Sequence, residues 1–187
     1  MENNRRTEII EASIDLFNIK GLDMTSMADI AQKAGLAKAT LYFYYRSKAE
    51  LIEDVYRYCT NKNVDALHKG IEDTMTSIEK LCVRFANVIE YMLDHPKESF
   101  VEILYNSSPV YGDPDSHLLP VYYAEVEEMI KEGIRKGEIR EQSSWILSTA
   151  YYGFASEMYL RFRSEPSLWN KETTDECLEI IRSFLKA

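Results

Sequence analysis

The chain is poor in helix breakers, with 7 Gly and 5 Pro in 187 residues. Set among long periodic stretches, so few breakers point to an all-α protein. Cysteine is scarce as well. Cys59, Cys82 and Cys177 are odd in number and far apart, which argues against a disulfide framework and fits a reducing cytosol. They read as small buried apolar groups. No apolar run approaches the roughly twenty residues a membrane span needs. The opening Met1-Glu2-Asn3-Asn4-Arg5-Arg6 lacks the apolar core of a signal peptide, so a cytoplasmic protein is expected. Catalytic groupings are missing too. There is no P-loop and no GxGxxG, and His68, His95 and His117 stand in no metal-ligand spacing with cysteine or carboxylate. No enzyme, metal or cofactor is expected. Glu127-Glu128 and Glu50, Glu53 and Asp54 read as charge on solvated faces.

What is present is a core and an uneven charge. Hydrophobic residues make up 45% of the chain, too many for disorder. The formal net charge is -9, yet up to Lys48 there are seven Lys/Arg against six Asp/Glu. The acidic excess therefore lies downstream. A nonspecific polyanion binder would be basic throughout. A nearly neutral first segment on an acidic chain suits one small, local contact with nucleic acid.

That segment is organised by Thr25 to Lys48, TSMADIAQKAGLAKATLYFYYRSK. Ile30 and Ala31 precede Ala34, Gly35 breaks the pattern, and Leu36 and Leu41 begin a second one. This is the pattern of a helix-turn-helix: a small residue at Ala31 for close packing, a glycine for the tight turn, leucines pinning the second helix inward. The second helix, about Lys38 to Tyr45, keeps Lys38, Thr40, Tyr42, Phe43 and Tyr44 on its outer face. So many aromatics with so little charge suit base edges and phosphates in a major groove. An ordinary helical hairpin would share the bare turn.

The combined string is more specific. D-I-A-Q-K-A-G-L followed by A-T-L-Y-F-Y-Y-R-S-K resembles the DNA-binding domain of TetR-family transcriptional regulators. Ile9-Ile10-Glu11-Ala12-Ser13, Leu16-Phe17 and Gly21 resemble that family's first helix, and the likeness runs to Leu51. The resemblance implies a homodimer on a palindromic DNA operator, with a small-molecule effector acting on a second, helical domain. Base contacts are expected from Lys38, Ala39, Tyr42 and Phe43, and phosphate contacts from Thr25, Thr40, Tyr44 and Lys48. Two positions depart from the family pattern. Ala37 replaces a usual serine and loses a cap, and Tyr45 replaces a usual phenylalanine, adding a hydroxyl that needs a partner.

About nine helices are expected. The first runs from about Asn4 to Ile19 and ends at Gly21. Thr25 or Ser26 caps the second, and Ser47-Lys48-Ala49-Glu50 is a capping box for the fourth, which would continue to about Lys69. Residues 1-60 form the DNA-binding domain in this reading, and 61-187 a helical domain for ligand binding and dimerisation. Asp94-His95-Pro96 separates two helices there, and Ser107 to His117 reads as a loop. The helix over Ser143 to Arg163 carries two apolar stripes, Trp145, Tyr152 and Tyr159 beside Tyr151, Ala155, Met158 and Phe162. A helix apolar on two faces needs cover on two faces. With the last helix, opened by Thr173-Thr174-Asp175-Glu176, it is expected to meet a second copy.

Tyrosine is abundant in this second part, and each buried hydroxyl needs a partner. Ligand pockets are mostly apolar and aromatic with a few polar groups. A pocket for an apolar or aromatic effector is therefore expected near Phe85, Ile89, Tyr105, Tyr122, Tyr151 and Phe154. Together these readings predict a repressor released by its ligand. Two other classes compete, a helical carrier or enzyme with a purely structural helix-turn-helix and a protein-interaction module. Neither explains the first helix, the turn and the Tyr-rich helix together.

Overall fold

Gly21 divides the first helix: at φ 77°, ψ 173° it leaves the helical region and lets the chain turn before Met24. The structure, a computed structural model, describes residues 2–61, 64–111 and 121–187. Ten α-helices lie in this part: α1 (Glu2–Met24), α2 (Met27–Lys33), α3 (Lys38–Tyr44), α4 (Lys48–Asn61), α5 (Val64–Leu67), α6 (Ser77–Asp94), α7 (Pro96–Asn106), α8 (Val121–Lys136), α9 (Ser144–Ser164) and α10 (Lys171–Leu185). The all-α expectation holds. The count exceeds nine by the four-residue α5, and residues 62 and 63, where helix four was expected to continue, lie outside the described residues. No helix among the described residues is long and apolar enough to cross a membrane.

Most helix ends follow from local chemistry. Ser26 caps α2 in a reciprocal box: the Asp29 N–H donates to the Ser26 hydroxyl at 3.1 Å, and the Ser26 N–H donates to the Asp29 carboxylate at 2.9 Å. Ser47 accepts from the Glu50 N–H at 3.1 Å, while Glu50 reaches back to the Arg46 N–H at 2.7 Å. Ala37 stands at the N-cap of α3 without a side-chain bond. Pro96 opens α7 in its first turn. The last helix differs from expectation. Its cap is Asn170, whose side chain accepts from the Thr173 N–H at 3.1 Å, so α10 starts at Lys171 and Thr173 lies inside it. The loop expected over Ser107 to His117 is described as far as Tyr111.

The chain divides into two compact units, residues 1–62 with 95–118, and residues 63–94 with 119–187. Residues 95–118 thus cluster with the first unit, although a contiguous division at residue 60 would put them in the second part. In the first unit α7 packs on α1 and α4, while α2 bridges α1 and α3. Ile9, Phe17, Ile30, Leu41, Leu51 and Val55 are fully buried in its core, each contributing about 1.5–3 kcal/mol by leaving water. The Tyr56 ring stacks on Tyr105 at 3.9 Å between centroids, and its hydroxyl donates to Asn106 at 3.0 Å.

In the second unit α6 is the central helix, packed by α5, α8, α9 and α10. Phe85, Ile89, Tyr151, Tyr159, Phe162 and Ile181 are buried there. The buried Tyr151 hydroxyl donates to the Leu81 carbonyl at 2.9 Å, and its burial pushes the phenol pKa well up. The two expected stripes of α9 do not share one fate. Tyr152 and Tyr159 are buried, as are Tyr151, Ala155 and Phe162, but Trp145 is 63% exposed. Gly133 lets α8 approach its neighbours: a Cβ there would come within 2.9 Å of the Ser77 Cβ and 2.5 Å of Ile139 Cδ1.

Candidate nucleic-acid interface

The geometry of α3 begins with its buried side. Leu41 and Tyr45 are wholly covered, which turns Ala39, Thr40, Tyr42 and Phe43 outward. Ala39, Thr40, Tyr42 and Phe43 are exposed, Phe43 at 78%. Tyr44 is half-buried against the core and meets Phe43 edge to face at 5.6 Å. Lys38 lies over the Tyr42 ring, 5.9 Å from its centroid. Gly35 (φ 66°) makes the turn before the helix, and the Leu36 N–H closes it on the Ala31 carbonyl at 2.8 Å.

The other end of α3 is fixed by three side chains. The Tyr45 hydroxyl donates to Asp54 at 2.6 Å, Arg6 pairs with the same Asp54 oxygen at 2.8 Å, and its guanidinium lies 5.5 Å from the Tyr45 ring centroid. The hydroxyl that sets this chain apart from the family pattern therefore has a carboxylate partner. Burial and the Asp54 carboxylate push the Tyr45 phenol up, and the hydrogen bond Arg6 donates to Asp54 is the main cause raising Arg6.

Beside α3 a cavity of about 340 Å³ brings together Thr25, Lys38, Tyr42 and Lys48 with Asp23, Ser26 and Ala28. Of the eight residues expected to touch DNA, these four line it; Ala39, Thr40, Phe43 and Tyr44 lie elsewhere on or beside the outer face of α3. Lys48 donates to the Asp23 carbonyl at 2.9 Å, which holds its ammonium over the cavity rim. Thr25 is 1% exposed and its hydroxyl is given to the Gly21 carbonyl at 2.8 Å. A contact to phosphate from Thr25 would therefore have to use its backbone. Asp29, at the same helix end, is held well below the usual carboxylate range, first by hydrogen bonds from the Ser26 hydroxyl and N–H and then by Lys20. Met24, 78% exposed on the same rim, and Arg46, exposed between α3 and α4, were not singled out by the sequence. Arg46 had a signal, a cation two residues before Lys48; Met24 had none.

The residues expected near a ligand are more dispersed. Phe85 stacks on Phe154 at 5.4 Å and meets Tyr151 edge to face at 5.9 Å. Ile89 is buried. Tyr105 lies in the first unit between Tyr56 and Tyr111. Tyr122 falls in α8, with its side chain outside those described. No group of three or more His, Cys, Asp or Glu among the described residues could hold a metal ion.

The site is a helix-turn-helix whose second helix projects exposed aromatics, with Lys38 and Lys48 on one cavity beside it. Comparison with known proteins agrees. The family model for bacterial regulatory proteins of the tetR family matches residues 9–55. The chain is 25% identical over 178 residues to the biofilm operon icaADBC HTH-type negative transcriptional regulator IcaR of Staphylococcus aureus (strain Newman), covering 86% of this chain and 94% of the relative. Its fold is similar to a TetR family transcription regulator from Marinobacter aquaeolei VT8, with TM-score 0.84 and 19% identity over 99% of this chain and 97% of that one. It is also similar to the transcriptional regulator FadR from Bacillus subtilis in complex with stearoyl-CoA, with TM-score 0.77 and 19% identity over 96% and 98% of the two chains. Residues 9–55 thus match the tetR-family model, and the fold of the chain is similar to that of solved TetR-family regulators.

Proposed function

We propose that the chain represses transcription as a homodimer on a palindromic operator and is released by a small molecule bound in its second unit. The observation that carries the DNA half is the outer face of α3, where Ala39, Thr40, Tyr42 and Phe43 stay exposed while Leu41 and Tyr45 are locked inside. In this reading Lys38, Ala39, Tyr42 and Phe43 meet base edges, while Thr40, Tyr44, Lys48, Arg46 and the backbone at Thr25 meet phosphates. Phosphate contacts fix register and base contacts choose sequence. Repression is supported by the likeness to IcaR, a negative regulator. A ligand is supported by the likeness to FadR, solved with stearoyl-CoA.

Dimerisation is supported by the outer faces of α9 and α10. From Ser144 to Ser156 α9 has no charged residue, and Trp145, Ile146, Thr149, Ala150 and Gly153 are exposed on it. On α10, Ile180 is 51% exposed. A face this free of charge on a chain of net charge -9 suits a second copy of itself. Two reading heads related by a two-fold axis require half-sites one turn of DNA apart or a multiple of it. A ligand releases them only by its differential affinity for a conformation with another spacing.

The test is selection of bound duplexes from a random library at near-physiological salt, with and without extracted cell metabolites. A palindromic consensus is expected, and its loss on adding metabolites identifies release. Folded dimer that enriches no sequence under either condition overturns the reading and favours a carrier.

A further inference from the structure

The second unit holds a cavity of about 570 Å³ between the turn at His68, α6 and α8, and its charges are not balanced as a list of residues would suggest. Three carboxylates line it, Glu125, Glu128 and Glu132, and each already has a cation. Glu128 pairs with Lys131 at 2.8 Å. Glu132 pairs with Arg135, and with Lys136 at 3.2 Å. Glu125 is met at 2.8 Å by the guanidinium of Arg84, a residue with no exposed surface at all, and at 3.2 Å by the His68 ring. A cation buried behind a carboxylate cancels its field where solvent cannot screen it, so Glu125 presents little negative potential to the cavity.

Lys80 is different. It lines the same cavity from α6, is half-buried, and has no carboxylate within ion-pairing distance among the described residues. Met129, Ala124 and the stems of Arg135 and Lys136 supply apolar wall around it. A half-buried ammonium facing an open groove whose acids are all paired favours an anion there. On a chain of net charge -9 this is a local reversal of sign.

We propose that this cavity is an effector site for an amphipathic oxyanion, and that Lys80 is the residue that binds its charged group. The proposal rests on the ligand-released reading above and narrows its effector from an apolar molecule to one with an apolar body and a carboxylate or phosphate. The anion bonds the Lys80 ammonium, and its apolar part covers Met129 and Ala124. The Glu125–Arg84 pair stays intact as the polar wall.

The test is calorimetric titration of the full-length protein at low salt with two probes, octanoate for a carboxylate and coenzyme A for phosphate. The comparison is with Lys80→Gln and, as a control on an exposed lysine elsewhere, Lys171→Gln. Gln keeps the first two methylenes and a polar end without the charge, and thermal melts verify that both variants fold. At least one probe binds the wild type, Lys80→Gln weakens it tenfold or more, and Lys171→Gln leaves it within twofold. Which probe binds identifies the anion. No binding of either probe up to millimolar concentration, or equal binding to Lys80→Gln, overturns the site. Operator release is measured separately with the selected DNA: a probe that binds through Lys80 without releasing DNA leaves the anion site standing and sinks its role as effector.

Discussion

The hydroxyl of Tyr45 lies 2.6 Å from the carboxylate of Asp54, and this bond ties the C-cap of α3 to α4. Arg6 completes the cluster from α1. Tyr45→Phe keeps the buried ring but removes one bond to a partly buried carboxylate, at a cost of about 1 kcal/mol. Urea unfolding at pH 7 measures it. A variant as stable as the wild type would mean that Arg6 alone satisfies Asp54.

The proposed DNA-contact face of α3 makes two kinds of contact testable. Tyr42→Ala removes an exposed ring that supports no core, so it leaves the melting temperature unchanged and weakens binding to the selected operator more than to random DNA. Lys48→Ala weakens both about equally and lowers the slope of log affinity against log salt by about one. Binding titrations at several salt concentrations distinguish them. Tyr42→Ala with unaltered operator affinity would displace α3 from the groove.

Helix α3 was legible in the sequence because its logic is local: Gly35 breaks, Leu41 pins, and Tyr42 and Phe43 next to it are left facing outward. The caps were legible for the same reason at Ser26 and Ser47, where hydroxyl and acid stand three apart. At α10 the same signature, Thr173 with Glu176, sits inside the helix because Asn170 captures the Thr173 N–H first. Local rules do not rank two competing caps. What no local pattern carries is long-range pairing. Nothing near Tyr105 announces that it stacks on Tyr56, nor does anything near Lys97 announce its 2.7 Å ion pair with Asp15 of α1. The balance of the α6–α8 cavity was hidden likewise, since it depends on which glutamate meets which cation.

The outer surface of α9 and α10 makes the oligomeric state testable by one charge. Ile180→Glu places a carboxylate on the proposed two-fold contact, where burial without a partner costs several kcal/mol. Ile180 is half exposed in the single chain, so the new carboxylate stays solvated in the monomer and thermal melts verify that it folds. Sedimentation at micromolar concentration shows a dimer for the wild type and a monomer for Ile180→Glu, and operator binding falls with it. A wild-type monomer removes the two-fold operator model.

Gly133 tests packing in the second unit. Alanine there brings its Cβ within 2.9 Å of the Ser77 Cβ, an atom fixed to the backbone that cannot swing aside as Ile139 Cδ1 can. Overpacking of this kind costs about 1–3 kcal/mol. Gly153→Ala is the matched control, since nothing lies within 4 Å of a Cβ built on that residue of α9. Denaturant midpoints of the two variants should therefore part. Equal midpoints would show that α8 shifts without penalty.

Burial also sets the alkaline limit of the fold. Tyr45, Tyr151 and Tyr152 all have phenols raised above their ordinary value of 10.0, in each case chiefly because they are removed from water. Below pH 10 both folded and unfolded chains keep these protons, so stability does not depend on them. Above it the unfolded chain loses protons that the folded chain retains, and each such phenol lowers the unfolding free energy by up to about 1.4 kcal/mol per pH unit. Urea midpoints from pH 8 to pH 11 should therefore stay level and then fall steeply past pH 10. Lysines titrate in the same range, and Tyr45→Phe separates the two causes. Without its phenol the variant starts less stable at pH 8 but declines with a shallower slope, so the two curves converge toward pH 11. Parallel curves would mean that Tyr45 ionises as readily in the folded chain as in the unfolded one, which its buried ring and its bond to Asp54 forbid.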